Sequence, residues 1–371
     1  MNKFFKTENY WRNIDKHMLV SFLILFTLGI FFSFSSTSFL ADERLNKGYY
    51  FFFQKHLLYA LISFFLMIFI STINTDLINK SLIPIFLFFL LLLILVPFFG
   101  IEVKGAKRWL DLYIFRFQPI EFTKPFFILV IAQIITSSRI QSLNSSHVIS
   151  FVLLSVITLL LLFQPDLGQI ILLISTWISL IFISGFNILF LFLISTFVIA
   201  LFFLLLYLAP EKFSYIITRL TSFMDPEKSG NFQSQKAIEA IKQGGLKGQG
   251  MGEGILKESV PEAHTDYIIA VVSEEFGSVV SILIITIFLF IAFRIIKKVV
   301  NFSSNFYKLS LCGLASLLVF QTFIHVGVNA NLLPTTGMTL PFLSYGGSSL
   351  LSSGIIAGIL LNYTSLKENI E

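Results

Sequence analysis

The feature that most constrains this sequence is a succession of long apolar runs that contain few charges. A helix that crosses a bilayer needs roughly 17–25 apolar residues, and about ten runs meet that requirement. Their approximate bounds are 18–38, 56–73, 82–99, 120–137, 147–163, 168–186, 188–208, 267–295, 308–327 and 343–363. The sequence therefore predicts an all-α polytopic integral membrane protein in which residues 1–371 form a single membrane domain.

The charge composition supports this fold class and excludes several functions. Charged residues make up only 13% of the chain, against about a quarter in soluble domains. The net charge is +5, but the basic residues cluster at span ends, where they suit membrane lipids rather than nucleic acid. The single cysteine, Cys312, gives no disulfide framework, and the sequence contains no P-loop or zinc-type cluster.

Two basic segments determine the predicted topology. Their basic residues are Lys3, Lys6, Arg12 and Lys16 near the N-terminus, and Arg294, Lys297, Lys298 and Lys308 after the eighth span. An even number of spans separates the two segments, so they share a side, which the positive-inside rule makes cytoplasmic. Both termini are then cytoplasmic in a bacterial inner (plasma) membrane. Segments 100–119, 209–266 and 328–342 lie outside, and 209–266 is a large periplasmic loop between helices 7 and 8.

Charged and aromatic residues are dense around the start of the fourth span. Arg108 and Trp109 precede it, where they suit either an interfacial belt or a binding site. Glu121 and Lys124 are spaced i, i+3 inside the span and therefore share one helix face. Ionisable groups at that depth usually point into a protein cavity, although this pair could also only neutralise itself. If the helix extends upstream, Arg116 lies on it a little over two turns before Lys124.

The long loop contains the leading candidate for chemistry, Asp266, at the end of the segment Pro261-Glu-Ala-His-Thr-Asp266. Thr265 or Asp266 is expected to cap the eighth span, because a helix N-terminus favours an ionised carboxylate. Capping alone would also explain the acid. The neighbouring His264 is either a pH-responsive group or a hydrogen-bonded interfacial histidine.

Other parts of the same loop and the following span are expected to shape a site. Residues 235–243 fit a short amphipathic helix lying on the membrane. The glycine-rich run 244–254 allows the backbone to approach a ligand closely. Farther along, Glu274 is expected on the same helix face as Asp266, with Glu275 to one side of it.

Two further breaks interrupt the apolar runs. Residues 164–168 predict a tight turn in which Asp166 caps the next helix, a structural role. Residues 331–349 combine prolines, glycines and hydroxyl groups, including Ser344. Because such polar backbone is tolerated at membrane depth only inside protein or along a cavity, this segment is expected to form a site wall.

Together these motifs resemble the SEDS family of bacterial peptidoglycan polymerases. The matching segments, in the family's order, are Gly105-Ala-x-Arg-Trp-Leu-Asp-Leu, Arg116-Phe-Gln-Pro-x-Glu-x-x-Lys124, Gln164-Pro-Asp-Leu-Gly, Pro261-Glu-Ala-His-Thr-Asp-Tyr, Glu274-Glu-Phe-Gly and Leu340-Pro-Phe-Leu-Ser-Tyr-Gly-Gly-Ser-Ser. The resemblance runs nearly end to end with a matching span count. The glycine-rich run and residues 333–341 are more similar to the division-septum branch than to the lateral-elongation branch, which remains the alternative.

The resemblance implies an inverting glycosyltransferase that polymerises lipid II into glycan strands and releases undecaprenyl diphosphate. It assigns the catalytic acid, acting as a general base, to Asp266. The substrate-binding candidates around it are Arg108, Trp109, Arg116, Glu121, Lys124, His264, Glu275 and Ser344. Lys107 and Pro125 depart from the family's pattern, and a kink at Pro125 would displace Lys124. The sequence requires no cofactor, and a divalent cation (Mg²⁺ or Mn²⁺) at the diphosphate is left open.

Partners and rival functions follow from what the motifs lack. No transpeptidase motif is present, so the resemblance implies a class B penicillin-binding protein as the cross-linking partner, with other division membrane proteins at the septum. Two rival functions stay open. A lipid II flippase needs cations along a path through the bilayer, and a division scaffold without catalysis would tolerate Asp266→Asn.

Overall fold

The structure is a computed structural model. It describes residues 10–43, 50–103, 105–111, 113, 116–137, 143–187, 213–224, 232–260 and 262–366, with scattered positions between 189 and 211.

The described chain is mostly helical. Its first part comprises α1 (Tyr10–Asn13), α2 (Lys16–Glu43), α3 (Phe51–Thr72), α4 (Thr75–Phe99), β1 (Ile101–Val103), β2 (Ala106–Asp111), β3 (Arg116–Phe117), α5 (Pro119–Ile135), α6 (Leu143–Phe163) and α7 (Leu167–Ile183). Its second part comprises α8 (Ser214–Met224), α9 (Phe232–Gly244), α10 (Leu256–Ser259), α11 (Ile268–Phe276), α12 (Ser278–Val299), α13 (Asn305–Asn329) and α14 (Gly347–Thr364).

Six of the described helices are long and apolar enough to cross a membrane: α2, α3, α4, α6, α12 and α13. The predicted spans 120–137, 168–186 and 343–363 correspond to α5, α7 and α14, which have 17, 17 and 18 residues. The predicted span 188–208 falls mostly outside the described residues. The all-α membrane fold is therefore confirmed, and the count of ten spans stays a prediction.

The centre of the bundle is α5, which is buried on nearly every face, including the positions of its charged residues Glu121 and Lys124. It packs against α4, α13 and α14. The close packing of α14 on α3 depends on glycine. A Cβ at Gly354 would lie 2.4 Å from Ser63 Oγ, and one at Gly358 would lie 2.8 Å from the carbonyl oxygen of Met67. Small residues let two membrane helices approach in this way.

The prediction of one continuous span over 267–295 is wrong. The chain forms two helices, α11 and α12, separated by Gly277 at φ 87°. A Cβ at Gly277 would lie 2.1 Å from the carbonyl oxygen of Leu246, so the break depends on glycine. The expected cap is also wrong, because α11 begins at Ile268 with Tyr267 as its N-cap residue and no side-chain cap hydrogen bond.

The glycine-rich run packs against the end of α11. The backbone N–H groups of Gln249 and Gly250 donate to the carbonyl oxygens of Glu274 and Glu275 at 2.9 and 3.0 Å. These bonds satisfy carbonyls that a helix end leaves unpaired. Nearby, α9 is confirmed as a short helix, but its small buried residues pack on α11 in the protein instead of on a membrane.

The segment between α4 and α5 forms a three-stranded antiparallel sheet, which the sequence did not predict. In its β2–β3 pair, Asp111 is opposite Arg116 and Leu110 is opposite Phe117. Since α5 begins only at Pro119, the expected helical alignment of Arg116 with Lys124 is wrong. The sheet instead presents Arg116 from a strand.

The N-terminal segment meets the ends of α12 and α14. Asp15 Oδ2 accepts a hydrogen bond from Arg294 Nη2 at 2.8 Å and lies 3.7 Å from Lys298 Nζ. Lys298 Nζ in turn donates to the carbonyl oxygen of Thr364 at 2.5 Å. The two basic segments therefore lie at the same end of the bundle, as their charge pattern predicted.

Replacement of Asp15 tests this contact. Burial raises the pKa of Asp15, but the Arg294 hydrogen bond, the Met18 amide and Lys298 together bring it below its usual value of 3.8. A pKa that folding lowers gives stability that is present above the usual value and lost as pH falls through the folded-state pKa. We expect Asp15→Asn to cost about 1–3 kcal/mol at neutral pH.

The measurement is thermal unfolding of the detergent-purified protein at several pH values, with Asp76→Asn as an exposed control at the start of α4. The stability difference between wild type and Asp15→Asn should shrink as the pH falls below about 4. A difference that is unchanged across that range would contradict the ion pair.

Candidate functional site

A cavity of about 680 Å³ opens at the end of the bundle where the sheet lies. Its walls come from the start of α3, from β2, β3 and α8, and from the segments before α11 and α14. The charged residues in its lining are Lys55, Arg108, Asp111, Arg116, Arg219, Glu262 and Asp266. The expectation that residues 331–349 form a site wall is confirmed, because the lining includes Gly337, Thr339 and 345–349.

Hydrogen bonds to three consecutive carbonyl groups, at residues 264–266, hold the backbone around Asp266 in place. The oxygen of His264 accepts from the N–H of Tyr345 at 3.0 Å, and that of Thr265 accepts from Ser344 Oγ at 2.6 Å. The oxygen of Asp266 accepts from Asn329 Nδ2 at 3.0 Å. Three hydrogen bonds from two neighbouring segments therefore fix the position from which the carboxylate enters the cavity.

Asp266 and Arg108 both reach the cavity wall at Gly337. A Cβ built on Gly337 would lie 3.6 Å from Asp266 Oδ2 and 3.7 Å from Arg108 Nη1. The two charged groups therefore approach the same point in the cavity wall. Gly337 itself has φ 70°, a backbone conformation that glycine adopts without strain.

The turn between α6 and α7 anchors Arg108. Arg108 Nε donates to the carbonyl oxygen of Gln164 at 3.2 Å, and Nη2 donates to that of Pro165. Asp166, the N-cap residue of α7, lies 3.7 Å from Arg108 Nε. The turn was expected to have a structural role, and it also positions a residue of the site. Its bonds hold Nε and Nη2 of Arg108, which leaves Nη1 toward the cavity.

Two residues that sequence reasoning missed come from α8. Tyr215 and Arg219 both line the cavity, and their i, i+4 spacing places them on one helix face. The Arg219 guanidinium lies 4.3 Å from the centre of the Tyr215 ring, and the guanidinium of Arg108 lies 5.9 Å from that centre. The i, i+4 spacing of an aromatic and a basic residue next to an apolar run was the available signal.

Among the predicted substrate-binding residues, Arg108, Trp109 and Arg116 line the cavity. Trp109, in β2, is only partly buried and forms part of the cavity wall. The backbone of Arg116 is tied to α14, because Ser348 Oγ donates to its carbonyl oxygen at 3.4 Å.

Glu121 and Lys124 are fully buried and lie outside the cavity lining. They form an ion pair at 2.9 Å, which confirms that they share a helix face. Gln169 Nε2 donates to Glu121 Oε1 at 2.7 Å. Lys124 Nζ contacts Gln321 Oε1 at 3.4 Å, and Gln321 Nε2 donates to the carbonyl oxygen of Thr339 in the cavity wall at 3.0 Å. The pair therefore supports the wall from behind.

His264, Ser344 and Glu275 also lie outside the lining. The His264 ring packs against Phe52 and Tyr345, each with ring centres 5.4 Å apart. Ser344 holds the Thr265 carbonyl, as described above. Glu275 is buried against α2, where it accepts a hydrogen bond from Ser35. These three side chains do not face the cavity; they hold the backbone and the side chains that form its wall.

Glu274 was expected on the same helix face as Asp266, but Asp266 precedes the helix that contains Glu274, and Glu274 lies outside the cavity lining. Its carboxylate accepts hydrogen bonds from the backbone N–H groups of Ile255 at 2.8 Å and Leu256 at 3.1 Å. These are donors at the start of α10, which a helix leaves without partners. Glu274 therefore stabilises the long loop.

A divalent cation has no ready set of protein ligands in this part of the molecule. Across the described residues, no group of three or more His, Cys, Asp or Glu side chains is arranged to hold a metal ion. The carboxylates in the lining are Asp111 from β2 and Glu262 and Asp266 from the segment before α11, and they form no such group. The residues do not fit a resident metal.

The amino-acid sequence also matches a family of known proteins. The family model for FtsW, RodA and SpoVE, described as a cell cycle protein, matches residues 15–369. The chain belongs to this family. Membership confirms the resemblance on which the sequence expectations rested, and with the apolar helices it makes the chain a multi-pass membrane protein.

Individual family members are similar over nearly their whole length. The probable peptidoglycan glycosyltransferase FtsW of Caulobacter vibrioides is 33% identical over 356 residues, covering 95% of this chain and 89% of that protein. The stage V sporulation protein E of Bacillus subtilis is 32% identical over 353 residues, covering 94% and 96%.

Solved structures show the family's fold in this chain. One belongs to work described as "Structural coordination of polymerization and crosslinking by a peptidoglycan synthase complex"; it has a TM-score of 0.72 at 23% identity and covers 95% of this chain and 97% of that one. RodA of Thermus thermophilus has a TM-score of 0.67 at 23% identity, with the same coverage.

The buried pair of Glu121 and Lys124 predicts a distinctive stability pattern. Removal of one partner leaves an uncompensated buried charge, so we expect Lys124→Met to cost about 3–5 kcal/mol. The double variant Glu121→Gln/Lys124→Met should recover most of that loss. Thermal unfolding in detergent measures both, and equal destabilisation of the single and double variants would contradict a self-neutralising pair.

Asn329 predicts a second stability effect. Its side chain donates to the Asp266 carbonyl and accepts from the Ala270 N–H at 3.1 Å. Asn329→Ala leaves the Asp266 carbonyl oxygen without this donor, at a cost of about 1–3 kcal/mol, whereas the Ala270 N–H keeps its hydrogen bond to the Tyr267 carbonyl oxygen. Thermal unfolding should show this loss, with the exposed Asn301→Ala as control. A melting temperature equal to that of the control would show that the hydrogen bonds of Asn329 do not stabilise the segment at Asp266.

Proposed function

We propose that this protein is a peptidoglycan glycosyltransferase that polymerises lipid II into glycan strands. The observation that carries the proposal is that Asp266 and Arg108 both approach one point of the cavity wall, at Gly337. A carboxylate that can accept a proton next to a cation that can receive a leaving diphosphate is the pair that such a transfer needs. Relatives named FtsW peptidoglycan glycosyltransferases support the same reaction.

In this mechanism Asp266 is the general base. The 4-hydroxyl oxygen of the acceptor sugar attacks the anomeric carbon of the donor while its proton passes to the carboxylate. The bond from that carbon to the diphosphate oxygen breaks, and its electron pair leaves with undecaprenyl diphosphate. One displacement inverts the configuration, so the reaction needs no covalent sugar–enzyme intermediate and no second catalytic carboxylate.

The surrounding residues bind and orient the substrate. Arg108 and Arg116 stabilise the charge that develops on the diphosphate, and Trp109 supplies an aromatic surface for a sugar ring. Lys124, which was expected to join them, is neutralised behind the wall by Glu121. His264, Glu275 and Ser344 act by holding the backbone and the packing around Asp266.

The cellular setting follows from the relatives. The named FtsW relatives favour the division septum over the lateral wall; RodA, the structural neighbour at 23% identity, is the elongation alternative. We place the protein in the inner membrane with both termini cytoplasmic and with 209–266 as the periplasmic part of its single domain. A class B penicillin-binding protein would cross-link the strands, and other division proteins would surround the pair.

The rival functions have less support. A lipid II flippase would need cations along a path through the bilayer, yet the charged residues of the described cavity lining gather at one end of the bundle. A scaffold without catalysis gives no reason for the hydrogen bonds that hold the three carbonyl groups at 264–266.

Replacement of the proposed base is the direct test. We expect Asp266→Asn to lower the rate of lipid II polymerisation by about 10²- to 10⁴-fold, because an amide cannot accept the acceptor proton. The assay uses purified protein with its penicillin-binding partner and measures glycan strands on a gel.

The control is Glu239→Gln, which removes an exposed carboxylate on α9 that pairs with Lys236 outside the cavity. Thermal unfolding and co-purification with the partner establish that each variant is folded. Normal polymerisation by Asp266→Asn would rule out this residue as the base, and an inactive wild-type complex would favour the flippase or scaffold.

A further inference from the structure

Arg219 has an unusual environment for a cation in the cavity wall. Its Nη1 atom donates to the carbonyl oxygen of Thr335 at 2.7 Å, and its Nη2 atom donates to the hydroxyl of Tyr215. Its guanidinium also lies over the Tyr215 ring. All of these partners are neutral, so they fix the direction of the guanidinium without neutralising its charge.

The guanidinium keeps hydrogen-bonding capacity for a ligand. It carries five N–H donors, and the bonds to Thr335 and Tyr215 use two of them. Among the described residues no carboxylate lies within 4.0 Å of Arg219, whereas Arg108 is paired with Asp166. Arg219 is therefore held in place with charge and donors available at the cavity surface.

Arg219 and Arg108 bring two positive charges to one tyrosine ring. Burial lowers the pKa of Arg219, the neighbouring Tyr215 raises it, Arg108 lowers it, and the more weakly acting Asp166 and Asp266 raise it. An arginine nevertheless stays charged at neutral pH, so two guanidinium groups repel each other across one tyrosine ring. A ligand with at least two negative charges would relieve this repulsion.

We infer that Arg219 and Arg108 form a two-arginine site for a diphosphate, with Tyr215 as the spacer between the two guanidinium groups. The inference rests on the proposed function and adds a residue to it. The diphosphate gains one negative charge when its bond to the anomeric carbon breaks. A cation that strengthens its contact at that moment stabilises the transition state more than the bound substrate. Asp266, Arg108 and Arg219 line the same cavity, so the base and this site are placed to act on one substrate.

The alternative role for Arg219 is to brace the wall through the Thr335 carbonyl. Removal of a brace would lower stability or activity but would leave the affinity for a free diphosphate unchanged. Inorganic pyrophosphate is therefore the probe, because it carries the charge of the leaving group and no lipid or sugar.

The experiment compares wild type, Arg219→Gln, Arg219→Lys and the control Lys236→Gln. Lys236 is a partly exposed cation of the same loop that pairs with Glu239 at 2.6 Å, so the control removes one positive charge outside the cavity. Two quantities are measured on the complex with its penicillin-binding partner. One is inhibition of lipid II polymerisation by pyrophosphate, and the other is the shift in melting temperature that pyrophosphate produces.

We expect Arg219→Gln to lower kcat about 10- to 100-fold and to raise the pyrophosphate concentration for half-inhibition at least about fivefold. The stabilisation by pyrophosphate should largely disappear. Arg219→Lys should keep part of both effects because it keeps the charge but not the guanidinium geometry. Lys236→Gln should behave like wild type.

Pyrophosphate inhibition and stabilisation that are unchanged in folded Arg219→Gln would overturn the inference and leave the proposed function intact. If Arg219→Gln does not fold, Arg219→Lys decides, and a wild-type response to pyrophosphate in that variant counts against the site. An inactive wild-type complex that is still stabilised by pyrophosphate through Arg219 would instead support the anion site and refute the polymerase.

Discussion

The structure depends on hydrogen bonds between two irregular segments at one end of the membrane bundle, the segment before α11 and the segment before α14. Polar backbone groups that lie away from water must find partners inside the protein. The segment before α11 supplies carbonyl groups, and the segment before α14 supplies the donors Tyr345 N–H and Ser344 Oγ. Asn329, at the end of α13, supplies the third donor. The fixed position of Asp266 is a consequence of this mutual satisfaction.

Buried charges follow the same rule and divide into two groups. Glu121 pairs with Lys124, and Asp166 lies against Arg108. The first pair is closed off behind the wall, whereas Arg108 also directs one nitrogen to the cavity. Because a paired charge costs less to bury, the protein can hold ionisable groups this deep and still present cations at one end, where an anionic headgroup would enter.

Several residues that look functional in the sequence have mainly structural roles, and the reason is tertiary packing. Residues 244–254 were expected to approach a ligand, but glycine at Gly248 lets the backbone pass where a Cβ would lie 2.3 Å from the carbonyl oxygen of Glu275. Glu274 completes the start of α10. Such contacts join positions far apart in the chain, so no local pattern reports them.

The sequence by itself determined the membrane fold and the family, and it singled out Asp266, which lies in the cavity lining. Apolar length decides whether a helix can span a bilayer, and the spacing of Glu121 and Lys124 decides that they meet on one helix face. It did not determine the break at Gly277, the sheet that carries Arg116, or the convergence of Arg219 on Asp266 and Arg108. Those features depend on which distant segments pack together. The break at Gly277 packs against Leu246, the strand with Arg116 pairs with β2, and Arg219 meets Arg108 at Tyr215, so each feature needs a partner that only the folded chain supplies.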